Sequence, residues 1–378
     1  NTSRRNIIDA KNVDMYMYPI VKKVFDVFSV LIVEEGFNIN KNDYPCDILV
    51  NPHVSLKSKL LSCTIIFSKK DKLKIKNIEK KISDKFNVSI NILSIARNVI
   101  GYKIKDRRKK FNKIFKKYSP KGLIYVDDGS MQGVLEAAHE QKMTTIELQH
   151  SLVSKTNPQY QYYPIDNMYN TIPKYIFSFG RYWEDSFNLK STIIPIGFPF
   201  FDIMNNKYKR IDNSNKSNNL IINSGIFSKN DLIKMTLELS DLLSDYNIYY
   251  KLRPEEYDSW ENHYPVEFAK KNNIFIIDNN ETHLYEYFSK CKYQIGVNST
   301  TIYEGLGYGL TTFILQSGWY EEMTPLIEGG YAFLIKNAKE IASHIQNNSF
   351  PKNSIDINSI FRLNSLQTIK NEMKRVTL

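Results

Sequence analysis

Two adjacent carboxylates, Asp127 and Asp128, stand where an apolar run (Gly122–Tyr125) gives way, through Gly129 and Ser130, to a helical pattern over Met131–Gln141. Asp and Ser at a helix start satisfy free N–H groups, so capping is one reading. The other is a general base: two neighbouring carboxylates raise each other's proton affinity, which suits one of them to deprotonate an attacking hydroxyl. The next apolar run closes on Glu147-Leu148-Gln149-His150-Ser151. His150 is either held by backbone at a strand end or turned to a cleft as a base or phosphate contact. Gln149 beside it is a candidate for binding an acceptor. So are Tyr160 and Tyr162, because tyrosine faces stack on sugar rings; core packing is their equal alternative.

A second set lies more than a hundred residues on. Lys251-Leu252-Arg253-Pro254-Glu255 ends another strand-like run. Lys251 and Arg253 share one side of an extended chain and bring charge to where a phosphate would sit. A solvated pair with Glu255 is the plainer account. Asn298-Ser299-Thr300-Thr301 then forms a small polar turn into a helix that carries Glu304. The free N–H groups of such a helix start, with the Ser and Thr hydroxyls, make an anion site, and an ordinary cap is the alternative. Glu304 is placed to accept hydrogen bonds from ribose hydroxyls. Gly305, Gly307 and Gly309 in the same stretch imply close approach of another element or of a ligand. The Lys-Ser/Thr ending of a Walker loop is absent.

These residues need strand ends to hold them, and the pattern supplies them. From about Asp47, strand-like and helix-like runs alternate, which predicts an α/β protein with parallel sheets. Strands are expected at Asp47–Val50, Cys63–Phe67, Gly122–Tyr125, Thr144–Leu148, Tyr175–Phe179 and Thr192–Ile196. They recur at Leu220–Asn223, Ile248–Leu252, Ile274–Ile277, Tyr293–Val297 and Thr311–Leu315. The polar, Asn-rich run from Asn205 to Asn219 reads as a linker. It divides the chain into residues 1–204, with the acceptor site, and 220–378, with the nucleotide-sugar site. The helical tail from Ile355 is expected to pack back on one of them, the N-terminal domain included.

The 378 residues are 42% hydrophobic and 13% aromatic, enough for two cores and against global disorder. No apolar run is long enough to span a bilayer. Three scattered cysteines and the absence of metal-ligand His spacing leave no zinc signature and point to a reducing cytoplasm. Part of the +11 charge is concentrated between Lys103 and Lys117. An amphipathic surface helix explains it most simply. Peripheral contact with the anionic inner face of a membrane, or with an acidic glycan, is the functional reading. Nucleic acid is not expected as a partner, since no recognition motif accompanies the charge.

Residues Gln149-His150, Phe179-Gly180-Arg181-Tyr182-Trp183, Pro195-Ile196-Gly197-Phe198-Pro199-Phe200-Phe201-Asp202, Lys251–Glu255 and Gly296–Gly309 together resemble bacterial glycosyltransferases of capsule and lipopolysaccharide synthesis. The resemblance runs from about residue 120 to 335 and implies the GT-B fold: two Rossmann-like domains with parallel sheets facing across a cleft. The family's Gln-His-Gly and Lys-Leu-His-Pro become Gln149-His150-Ser151 and Lys251-Leu252-Arg253-Pro254 here. Asp127-Asp128-Gly129 also resembles the acidic motif of sialyltransferases and polysialyltransferases. That likeness implies a metal-independent transferase using a CMP-linked sialic acid or Kdo, with a glycan or lipid-linked glycan as acceptor and no further cofactor. It makes Asp127 or Asp128 the base, with Arg253-Pro254 and Ser299-Thr300 holding the nucleotide. A UDP- or GDP-hexose donor, CDP-polyol phosphate transfer, a nucleotide-sugar epimerase and a non-catalytic glycan- or membrane-binding module are the competing expectations.

Overall fold

A computed structural model describes residues 5–8, 11–35, 46–50, 56–126, 129, 131–161, 171–208 and 216–377. Strands β1 (Arg5–Ile8) and β2 (Lys11–Asp14) form an antiparallel pair, and β3 (Val33–Glu35) and β4 (Ile48–Val50) a parallel one. A four-stranded parallel sheet follows: β5 (Gly122–Val126), β6 (Thr144–Leu148), β7 (Tyr175–Ser178) and β8 (Thr192–Pro195), side by side in chain order. The second sheet contains β9 (Asn219–Asn223), β10 (Asn247–Lys251), β11 (Ile274–Ile277), β12 (Tyr293–Gly296), β13 (Thr311–Leu315) and β14 (Phe333–Ile335). Its order is β11-β10-β9-β12-β13-β14, all parallel. These are two Rossmann-like parallel-sheet domains, the GT-B arrangement.

The strands form where the sequence is apolar on both faces, as a sheet covered by helices requires. Leu220, Ile221 and Ile222 of β9 are all fully buried, as are Phe313 and Ile314 of β13. Between β5 and β6 the helix Gln132–Glu140 buries Val134, Ala137 and Ala138. The basic helix Arg107–Tyr118 lies against it through Phe111 and Phe115, so its apolar stripe packs inward. Arg107 pairs with Glu35, and Arg108 with Glu136 and Glu140. Among the described residues no helix is long and apolar enough to cross a membrane.

One expected strand is absent. Leu56–Cys63 is a helix, and Thr64–Phe67 connects it to the helix Lys69–Phe86. The cause is local: Ser68 accepts a hydrogen bond from Asp71 N at 3.1 Å and caps that next helix. The apolar run before it is left too short to pair, with Ile66 exposed. The brief strands β1, β2, β3 and β14, of three or four residues, are not among those expected from the sequence.

The two sheets meet at their carboxyl ends. Loops after β7 and β8 pack on helices after β11 and β12, with Trp183 4.7 Å from Tyr303 and Phe200 5.9 Å from Tyr285 between ring centroids. Helix Pro199–Lys207 carries Phe200 and Phe201 into this contact. Lys216, at the end of the polar run, is buried and donates to the carbonyls of Phe288 and Tyr308. The tail crosses back, its helix Ser365–Thr377 burying Ile369 and Met373 with Ile20, Phe177 and Ile194.

Candidate functional site

In the second sheet the strand order reverses between β9 and β12, so their connections leave in opposite directions and open a crevice at their carboxyl ends. Two turns flank it: Ser224-Gly225 after β9 and Val297-Asn298-Ser299 after β12. Ser299 is the N-cap of the helix Thr300–Gly307. Its Oγ accepts from Thr301 N at 3.2 Å and from Thr301 Oγ1 at 2.8 Å. The first-turn N–H groups of that helix point into the crevice end, which favours negative charge there. Asn298 is fixed by Glu322, its Nδ2 donating at 3.2 Å. Glu304 is buried and accepts from the Tyr285 hydroxyl at 2.5 Å.

Lys251 and Arg253, adjacent on this rim, have different surroundings. Lys251 Nζ donates to Tyr257 Oη, to the Asn279 carbonyl at 2.9 Å and to Asn280 Oδ1 at 3.3 Å. An ammonium has three donors, and all three are used. Burial strips water from it and pulls its pKa down to about 8, against a smaller upward pull from Asp278. Arg253 is more open: its Nε lies 3.4 Å from Glu255, and 37% of its side chain is exposed. No other side-chain hydrogen bond or ion pair engages its guanidinium among the described residues. Pro254 starts the short turn Pro254–Glu256, closed by Glu256 accepting from Arg253 N at 3.0 Å. Glu256 also takes hydrogen bonds from Ser224 and Tyr264, which hold its carboxylate charged despite burial. His283, at the head of the helix after β11, has its pKa pushed down to about 4, first by burial and then by Lys207 and Lys251.

On the N-terminal side, Gln149 is buried and stitches strand ends together. Its Oε1 accepts from Phe179 N at 2.9 Å and its Nε2 donates to the Ser151 carbonyl at 3.1 Å. The His150 carbonyl accepts from Tyr16 Oη at 2.6 Å. Tyr160 is buried and donates to Glu147 at 2.8 Å. Asp127, Asp128 and Tyr162 lie outside the described residues. Two positions passed over as site residues stand out. Ser224 flanks the crevice from β9. Glu147 is a buried carboxylate held by Tyr125 and Tyr160 beside a cavity of about 450 Å³ that opens near Gly129. A carboxylate between Ile146 and Leu148 of a buried strand was the available signal for Glu147. A Ser-Gly pair directly after a buried strand was the signal for Ser224. Among the described residues no group of three or more His, Cys, Asp or Glu side chains is arranged to hold a metal ion.

No family model and no curated protein sequence matches the chain. Its fold matches solved structures over nearly the full length of both chains. UDP-GlcNAc 2-epimerase from Methanocaldococcus jannaschii is 10% identical over 96% of each chain, with a TM-score of 0.60. The Neisseria meningitidis UDP-GlcNAc 2-epimerase bound to UDP-GlcNAc is 12% identical over 96% of each, with a TM-score of 0.55. The S. aureus MnaA–UDP co-structure, also 12% identical, has a TM-score of 0.54 over 96% of this chain and 93% of that one. The GT-B fold is therefore established.

The same likeness corrects the sequence reading. Two of the solved structures named above are UDP-GlcNAc 2-epimerases and the third is a UDP co-structure, so the assignment to CMP-sugar transferases of capsule and lipopolysaccharide synthesis does not hold. With it go transfer of a CMP-linked acidic sugar to a surface polysaccharide and the CMP-linked co-substrate. The motifs behind that expectation are short strand-end turns, and the GT-B fold sets these whatever nucleotide is bound.

Proposed function

We propose that this chain is a nucleotide-sugar-processing enzyme that binds a UDP-linked N-acetylhexosamine between its two domains and epimerises it at C2. The observation that carries the reading is the fold shared along 96% of the chain with structures named as UDP-GlcNAc 2-epimerases, one of them bound to UDP-GlcNAc. The crevice between β9 and β12 supports it. Ser299, Thr300 and Thr301 would receive the diphosphate at the helix start, and Arg253 would neutralise it from the rim. Glu304 and its Tyr285 partner would border the ribose. Epimerisation at C2 balances if a base takes the C2 proton while the C1–O bond to UDP breaks and the electron pair forms a C1=C2 double bond. UDP then re-adds at C1 as an acid delivers a proton to the opposite face of C2, so a base and an acid are both needed. Asp127, Asp128 and His150 are the candidates on the N-terminal side.

Calorimetry with UDP and CMP in parallel, and proton NMR of UDP-GlcNAc with the protein in D2O, test this directly. UDP should bind more tightly than CMP. A second N-acetylhexosamine should appear with deuterium at C2. Preferential CMP binding would overturn the nucleotide assignment. UDP released only when a sugar acceptor is added would replace epimerisation by transfer.

A further inference from the structure

The loops that flank the crevice carry a feature the nucleotide reading does not use. Beyond β9, Ile226 and Phe227 are 63% and 65% exposed, and beyond β13 Trp319 is 56% exposed. Exposed apolar side chains one at a time need no explanation, but Phe227 and Trp319 meet across two loops. The Phe227 and Trp319 rings stack with centroids 4.6 Å apart and planes at 29°. The backbone is built to bring them together. Gly318 has φ +55°, a left-handed conformation that favours glycine, and a Cβ there would sit 3.7 Å from Phe227. Ser317 is tied to Asp231 on the helix after β9, and Gln316 Nε2 donates to Tyr320 Oη at 3.3 Å. The platform joins the crevice floor through Glu322, which holds Asn298.

The charge around the rings narrows the ligand. Asp231 and Glu321 are exposed, and neither is in an ion pair among the described residues. Carboxylates on the segments that carry the rings accept from hydroxyl donors and repel phosphate and anionic lipid. A pyranose offers an apolar C–H face to the rings and several hydroxyls to the rim, whereas a nucleobase offers few donors and arrives with phosphate.

We infer that Phe227 and Trp319 form a docking platform for a neutral pyranose ring borne by a saccharide other than the nucleotide-sugar, at the rim of the β9–β12 crevice. This surface stands independently of which nucleotide the crevice holds.

The test uses the full chain and its own fluorophores. Trp183 is buried and Trp260 partly so, leaving Trp319 as the exposed reporter. Titration with chitotriose and maltohexaose is expected to shift the tryptophan emission to the blue in a saturable way, with or without UDP present. Trp319→Ala removes the reporter, so its affinity is read by saturation-transfer NMR, as is that of Phe227→Ala. Each is expected to weaken binding at least about tenfold, and Trp319→Tyr to retain most of it. Both rings are exposed, so circular dichroism should be unchanged in all three variants. No saturable response to either oligosaccharide overturns the proposal. So do equal responses to uridine, binding to phosphatidylglycerol vesicles instead, or a concentration-dependent dimer that Trp319→Ala abolishes.

Discussion

Arg253 and Lys251 are separated by one residue, yet the structure gives them different surroundings. Lys251 is a strut: its ammonium ties the end of β10 to Tyr257 and to the Asn279–Asn280 turn, with no donor left for a ligand. Arg253 keeps guanidinium N–H groups toward solvent at the same rim. Arg253→Ala is therefore expected to weaken UDP binding about ten- to hundredfold, the value of a charge-assisted contact, with the thermal midpoint almost unmoved. Lys251→Met should do the reverse, costing about 1 kcal/mol of stability through the lost ties to Tyr257 and the Asn279–Asn280 turn. Calorimetric titration and thermal melts of the two variants check the division. A pH signature accompanies it. With the folded pKa lowered to about 8, the unfolded chain binds the extra proton between pH 8 and the ordinary lysine value of 10.5. The Lys251 contribution to stability thus rises as pH climbs through that window, and Lys251→Met lacks this rise. The two cations were legible in the sequence as a charged strand end. Their separate roles were not, because Tyr257, Asn279 and Asn280 reach Lys251 from loops that no periodicity places.

The helix Thr300–Gly307 shows what glycine spacing does and does not tell. Gly305, Gly307 and Gly309 signalled close approach, and the structure names the partners. Gly305 faces the Gln294 carboxamide, which bonds the Ile302 carbonyl at 2.7 Å and Thr312 Oγ1 at 2.8 Å. A Cβ at Gly307 would come within 2.7 Å of Phe201 and 2.8 Å of Ile357, so this position lets the domains approach. Gly309 turns the chain at φ +73°. Gly305→Ala would drive Gln294 from its buried hydrogen bonds, and a loss of about 2–4 kcal/mol is expected from overpacking and the orphaned amide together. Denaturant unfolding measures it, and an unchanged midpoint would show that Gln294 has another place to go. The parallel strands were readable because burial on both faces writes a continuous apolar run. The helix Leu56–Cys63 was not, since Cys63 to Phe67 carries the same composition and only the Ser68 cap decides against a strand.

At the scale of the whole molecule, the tail makes the two domains one mechanical unit. After the last strand of the second sheet the chain returns to the first. The Ile360 carbonyl accepts from Trp183 Nε1 at 3.0 Å, and Arg362 N donates to the Phe179 carbonyl at 2.8 Å. Phe361 stacks on Phe201 at 4.5 Å, Ser365 bonds Asp202, and Lys370 pairs with Asp26. A helical tail was visible in the sequence, but its landing place was not, because it rests on contacts between residues more than 160 positions apart. Domains joined by a small polar interface unfold separately, whereas a shared apolar core couples them. The core containing Phe179, Phe201, Tyr285, Tyr303 and Phe361 is shared in this sense. Phe361→Ala in the full chain is expected to cost about 3–5 kcal/mol. Because that loss falls on the seam between the sheets, calorimetry should resolve one transition into two, with the β5–β8 domain melting first. A single transition displaced as a whole would mean that other contacts, such as Trp183 against Tyr303, suffice to hold the halves together.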